Sequence, residues 1–141
     1  MISARAVIFS IKHRWVEEIL AGRKTVELRR RPPMIPAGTL GLIYETSPQC
    51  CLRASFRTGP TIKDSPDRVW AEWGERSRIS RDEFDAYFAE RTFAGAIPIR
   101  DVQILSLSRS LAELRQAVGF SAPEAWHWVK PELLEYLGLS A

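Results

Sequence analysis

Cysteine is scarce in this 141-residue chain: only Cys50 and Cys51 occur, and they are adjacent. Adjacent cysteines reach the normal disulfide geometry with one another only with great difficulty, so no disulfide scaffold is expected. Without a C-x-x-C spacing they make no redox motif either. Histidine is just as scarce. His13 and His127 lie far apart, and neither joins a cysteine or carboxylate pattern with metal-ligand spacing, so no metal is expected. No stretch approaches the roughly 20 apolar residues of a membrane span, and the apolar run near the start is too short and too charged for a signal peptide. A cytoplasmic protein with no membrane partner is the expectation. The chain also lacks G-x-x-x-x-G-K-S/T, G-x-G-x-x-G and G-x-S-x-G. Phosphate-loop NTPase, dinucleotide and α/β-hydrolase chemistry therefore have no support, and no cofactor is expected.

What is present is ordinary globular material. Apolar residues make up 45% and charged residues 26%, with five tryptophans and six phenylalanines. A chain of this length fits one domain, here residues 1–141, able to bury roughly two thirds of the surface its unfolded form exposes. The net charge of +3 conceals an asymmetry. Residues 1–63 carry eleven Lys and Arg against four acids, whereas residues 64–141 carry nine against thirteen. The basic half either meets an anionic partner, nucleic acid or nucleotide before others, or pairs with the acidic half of the same molecule.

The basic cluster is densest in "ILAGRKTVELRRRPP", residues 19–33, where Arg23, Lys24, Arg29, Arg30 and Arg31 surround Glu27. Like charges this close weaken the element that carries them unless something offsets them. Periodicity gives the surroundings. "RAVIFSI" (5–11) reads as a buried strand, and "HRWVEEILAG" (13–22) as a helix stopped by Gly22. "KTVELRR" (24–30) alternates as a strand, with Val26 and Leu28 on one face and Thr25, Glu27 and Arg29 on the other. After a proline-rich connection, "TLGLIYE" (39–45) and "CLRASFR" (51–57) read as strands, the second turning Leu52, Ala54 and Phe56 inward. Ser65-Pro66 opens a short helix through Trp73, and Ser80 with Glu83 forms a capping box ahead of Phe84, Tyr87 and Phe88. "TFAGAIPIRDVQILSLS" supplies two strands around Arg100-Asp101. Ser110 with Glu113 opens a helix ending near Gly119, "KPELLEYLG" is a last helix, and Trp126 and Trp128, like Trp70 and Trp73, sit at spacings read as helical core or cleft wall. Strands interrupted by helices, without strand–glycine–helix alternation, predict a small, mixed or mostly antiparallel α+β barrel flanked by short helices.

Gly22-x-Lys24-x-x-Glu27-x-Arg29, following a helix and the Ser10-Ile11-Lys12 strand end, resembles the signature of the ASCH domain, a member of the PUA-like superfamily. "YETSP" (44–48), "ISRDEFDAYFAERTFAGAIPI" (79–99) and "FSAPEAWHWV" (120–129) are similar to further segments of that family, in order along nearly the whole chain. The resemblance implies a β-barrel with a cleft rimmed by the motif's Lys, Glu and Arg. It also implies a role in binding RNA or a nucleotide-like ligand, while some relatives are amidohydrolases on N4-acetylcytidine and others ribonucleases. Three positions depart from the pattern. His13 stands where proline is usual, Cys50 and its neighbours replace a frequent lysine, and Ala125 replaces a serine.

Two functions are carried forward. In the first, a basic cleft engages RNA or a modified nucleoside through Lys12, Lys24, Thr25, Glu27, Arg29 and Tyr44. Lys24 offers a point charge to phosphate, Glu27 accepts from a nucleobase amine, Arg29 presents its planar fork, and Tyr44 stacks or sits in the core. In the second, a metal-free hydrolase uses Lys24 with Glu27 or Glu75 to attack, or to activate water against, an acyl-amino pyrimidine or RNA. The bland counterparts are a helix-capping Lys24, a Glu27–Arg29 ion pair and a Glu83 that only caps its helix. A third option, a regulator that senses a nucleotide, lacks a helix-turn-helix pattern.

Overall fold

The computed structural model describes residues 5–141, without the side chain of Leu107. In chain order the elements are β1 (Ala6–Ile11), α1 (His13–Leu20), β2 (Val26–Arg29), β3 (Leu40–Glu45), β4 (Cys51–Thr58) and β5 (Ile62–Asp64). There follow α2 (Pro66–Ser77), α3 (Arg81–Tyr87), β6 (Ala94–Ser110), α4 (Leu111–Val118), β7 (Trp126–Trp128) and α5 (Pro131–Leu137). The helix starts fall where capping chemistry puts them. The Ser65, Ser80 and Ser110 hydroxyls accept from the backbone N–H groups of Arg68, Glu83 and Glu113, each satisfying one of the donors a helix start leaves unpaired. α4 and α5 stop at Gly119 and Gly138, whose φ values of 66° and 70° suit glycine far better than any residue with a Cβ.

The strands form one curled sheet in the order β2-β6-β4-β3-β1-β7, with β5 also on β6. β1 and β3 run parallel and every other pair is antiparallel, giving the expected mixed α+β architecture. Side chains, not a hydrogen-bond ladder, bring the two edges together. From β2, Arg29 donates to the Ser10 carbonyl at 2.9 Å, and the Trp126 indole on β7 donates to the Arg31 carbonyl at 2.9 Å.

Alternation along the strands sorts the core into three layers. Val7, Phe9 and Ile11 point into the curl with Ile43, Phe56 and Ile97. Ile8 and Leu42 face the other way, onto Leu114 of α4 and Leu133 of α5. Val26 and Leu28 pack beneath α2 and α3, against Val69, Trp73 and Phe84. No described helix is long and apolar enough to cross a membrane.

The structure corrects three expectations. The two strands around Arg100-Asp101 are one 17-residue strand, β6, whose pairing with β4 shifts register there while Asp101 takes a φ of 51°. A local charge pair that resembles a turn is thus a bulge, which bends the strand enough to serve both halves of the sheet. β5 and β7 are additional strands. Trp126 and Trp128, whose spacing read as helical, are strand neighbours pointing to one side of β7 and pairing with Phe9 and Val7. Three residues are too few for a periodicity to be read, so the pairing partner decides their state.

Candidate nucleotide cleft

The cleft is assembled at the end of the curl by three segments that β1 and β2 hold side by side. The β1–α1 junction contributes Ser10, Lys12 and Trp15, β2 and the residues just before it contribute Lys24, Glu27 and Arg29, and α3 contributes Glu83 and Tyr87. The cleft is open to solvent on one side and has a volume of about 410 Å³, enough for a nucleoside-sized ligand. The alternation read from the sequence places the chemistry here: with Val26 and Leu28 anchored under α2 and α3, Glu27 and Arg29 must project to the opposite face.

Lys24 is 3% exposed. Its Nζ donates to the Ser77 carbonyl at 2.9 Å, stands 3.9 Å from Glu27 Oε1 and lies 4.8 Å above the Trp15 ring. Ser77 ends α2, so the ammonium meets the carbonyl-rich, partly negative end of that helix. A capping lysine was one expectation for this residue, but of α1, the helix before it. The α1 carbonyls are instead met by backbone N–H groups, those of Arg23 and Lys24 both donating to the Glu18 carbonyl. Burial pushes the Lys24 pKa below the ordinary lysine value, with Glu27 opposing that shift.

Glu27 is buried and stands between two cations. Its Oε2 accepts from Arg29 Nη2 at 3.3 Å, and its Oε1 accepts from the Leu28 backbone N–H at 3.2 Å. The same Arg29 guanidinium donates to the Ser10 and Ala125 carbonyls and lies over the Phe9 ring. Arg29 therefore joins the edges of the sheet as well as lining the cleft. Glu83 does more than cap α3. Arg14 grips both of its oxygens at 2.9 Å, which holds its carboxyl below the usual carboxylate range, and Glu83 itself stands at the cleft rim. Trp15 and Tyr87 add aromatic faces, with Arg30 lying 4.4 Å from the Tyr87 ring centre.

Lys12, Lys24, Glu27 and Arg29 thus converge, while Thr25, Tyr44 and Glu75 lie outside the cleft. Thr25 acts through its backbone, its N–H donating to the Arg76 carbonyl and its carbonyl accepting from Ile99. Tyr44 is 2% exposed on β3, 5.7 Å from Phe120 in the layer beneath α4 and α5, and burial pushes its phenol up to about 12. Glu75 lies within α2 and is exposed away from the cleft, so the general-base position proposed for it has no geometric support. Trp15 went unnoticed as a wall residue because its helical spacing reads equally well as core.

A second polar cluster lies where α1 begins and β3 ends. Glu45, fully buried at the end of β3, accepts from Arg53 Nη1 at 2.6 Å and faces His13 Nδ1 at 3.0 Å, with Glu17 3.8 Å from that same nitrogen. His13, expected to stand apart from carboxylates, is joined to two of them. The i, i+4 spacing to Glu17 was visible in the sequence, but Glu45 arrives only through the β1–β3 pairing. The ligand atoms of His13, Glu17 and Glu45 lie within 4.8 Å of one another and are of types that hold divalent cations. Arg53 already supplies positive charge to Glu45.

The geometry agrees with what known proteins resemble this chain. The sequence model of the ASCH domain matches residues 9–137. An ASCH domain-containing ribonuclease from Zymomonas mobilis is 24% identical over 131 residues, covering 91% of this chain and 86% of that protein. The crystal structure of ASCH from Zymomonas mobilis matches with a TM-score of 0.87 at 23% identity over 96% of both chains. A serine-to-alanine variant of the Zymomonas protein matches at 0.88 and 25% identity over 97% of both chains. With a family model spanning nearly its whole length and the motif's Lys24, Glu27 and Arg29 on one cleft wall, the chain belongs to the ASCH domain family.

Proposed function

We propose that this protein binds RNA or a nucleotide-like ligand, modified nucleosides included, in the cleft formed by Lys12, Lys24, Glu27 and Arg29. The observation that carries the reading is the convergence of these groups with the Trp15 and Tyr87 rings in a space of nucleoside size. Cations and an acceptor beside aromatic faces match the three parts of a nucleotide: phosphate, base edge and base plane. Retention of a short unmodified RNA should fall steeply between low and physiological salt, because each phosphate contact releases counterions. Lys12→Ala should weaken retention and flatten that slope by about one contact. Affinity indifferent to salt would overturn the reading.

Hydrolysis in the same cleft is the second reading, and two observations favour it. Burial lowers the Lys24 pKa and so raises the share of free amine able to act as nucleophile or base. The Zymomonas relative named a ribonuclease points the same way. Incubation with a short RNA and a panel of N4-acylated cytidines, with and without EDTA, separates the two readings by chromatography. Product formed by the wild type and lost in Lys24→Met makes the protein an enzyme. Activity abolished by EDTA would remove the metal-free version.

A further inference from the structure

We propose that the ligand path continues beyond the cleft as a basic and aromatic track over β7 to the start of β1, built for an extended single strand of RNA and not for a mononucleotide alone. The inference rests on the reading of the cleft as an RNA site. Its first link is Arg29, which lines the cleft and reaches out to the Ala125 carbonyl at 3.3 Å. Trp126 follows. Its indole N–H donates to the Arg31 carbonyl at 2.9 Å, which fixes the backbone of the exposed Arg31 against β7. Trp128 comes next on the same side of β7, its ring centre 5.6 Å from that of Trp126 and nearly perpendicular to it at 81°. Arg5 then lies over Trp128 with its guanidinium carbon 3.7 Å from the ring centre. Trp128 and Arg5 open into a second groove of about 470 Å³ that Arg57 also lines.

The strand register makes this a line. Trp126 is opposite Phe9 and Trp128 opposite Val7, so the series runs back along β1 from Ser10 at the cleft to Arg5. At roughly 3.4 Å per strand residue that distance is on the order of 17 Å, longer than one nucleotide needs. Arg29, Trp126, Trp128 and Arg5 follow one another along it, and among the described residues no acidic side chain lines the second groove. Positive charge alone would suit an acidic peptide equally. Half-buried tryptophans and a guanidinium plane stacked over one of them suit unpaired bases, which stack on aromatic rings and on arginine planes without regard to sequence.

The test is a binding series on the full chain with oligouridylates from the mononucleotide to about ten residues, the range over which single-strand grooves saturate. Wild-type affinity should rise at least about tenfold with length, and Trp128→Ala should remove about five- to tenfold at the long end while leaving mononucleotide affinity unchanged. Because Trp128 also packs on the core, Arg5→Ala, at an exposed site, provides a second variant with the same expected pattern. Mononucleotide binding without any gain with length would overturn the track and leave the cleft reading standing. Failure of every oligonucleotide and of the mononucleotide would overturn both. Displacement of the longest RNA by an equimolar polyglutamate would overturn the choice of nucleic acid as the partner.

Discussion

Replacing Lys24 with methionine separates the structural from the functional share of the buried amine. The two side chains have similar length and flexibility, so packing against Trp15 changes little. At neutral pH the variant loses the charge-assisted bond to the Ser77 carbonyl, a cost of about 1.5–3 kcal/mol. It also loses the penalty of keeping an ammonium out of water, which amounts to several kcal/mol per buried ion before pairing. Glu27 is not stranded, since Arg29 at 3.3 Å and the Leu28 N–H remain. The opposing contributions nearly cancel, and the variant should unfold in urea within about 1 kcal/mol of wild type. RNA retention, by contrast, should fall at least about tenfold, the equivalent of about 1.4 kcal/mol.

The pH dependence adds an independent check. Burial depresses the folded-state pKa of Lys24, so between that value and the ordinary 10.5 the unfolded chain binds more protons than the folded one. Wild-type stability relative to Lys24→Met should therefore rise with pH through that alkaline window and level off above it. A variant that loses more than about 3 kcal/mol at neutral pH yet retains RNA like the wild type would refute the reasoning, because Lys24 would then be purely structural. Stability curves that stay parallel at every pH would refute the buried charge itself.

Three further outcomes follow from the same coordinates. Arg53→Met removes the closest cation from the fully buried Glu45, leaving His13 alone to face it, and should cost about 3 kcal/mol in urea denaturation. Gly41→Ala places a methyl against the buried Phe56 ring, which belongs to a rigid core and cannot withdraw, so a loss of about 1–3 kcal/mol is expected. In a spectrophotometric titration one tyrosine should ionise near 12 and disappear from the curve in Tyr44→Phe. Because the unfolded phenol releases its proton first, Tyr44 also makes stability fall as pH rises from its ordinary 10 toward 12.

The sequence by itself determined the elements whose signals are local. Serine capping boxes placed the starts of α3 and α4, and the alternation of Val26 and Leu28 with Glu27 and Arg29 told which side chains would project together. The motif then located one wall of the cleft, because residues two apart on a strand share a face whatever surrounds them. Tertiary structure alone decided the rest. Which helix end Lys24 would cap depended on α2 ending beside β2, and the sequence offered only the nearer α1. Glu75 and Tyr44 had the right chemistry, but the helix phase of α2 and the outer layer under α4 and α5 carry them away from the cleft. β7 became a strand because Phe9 and Val7 offered it an edge, and the His13–Glu45 contact exists because two parallel strands distant in the chain end together. Such partners are chosen by the burial of whole faces, a free energy summed over many residues that no short window of sequence contains.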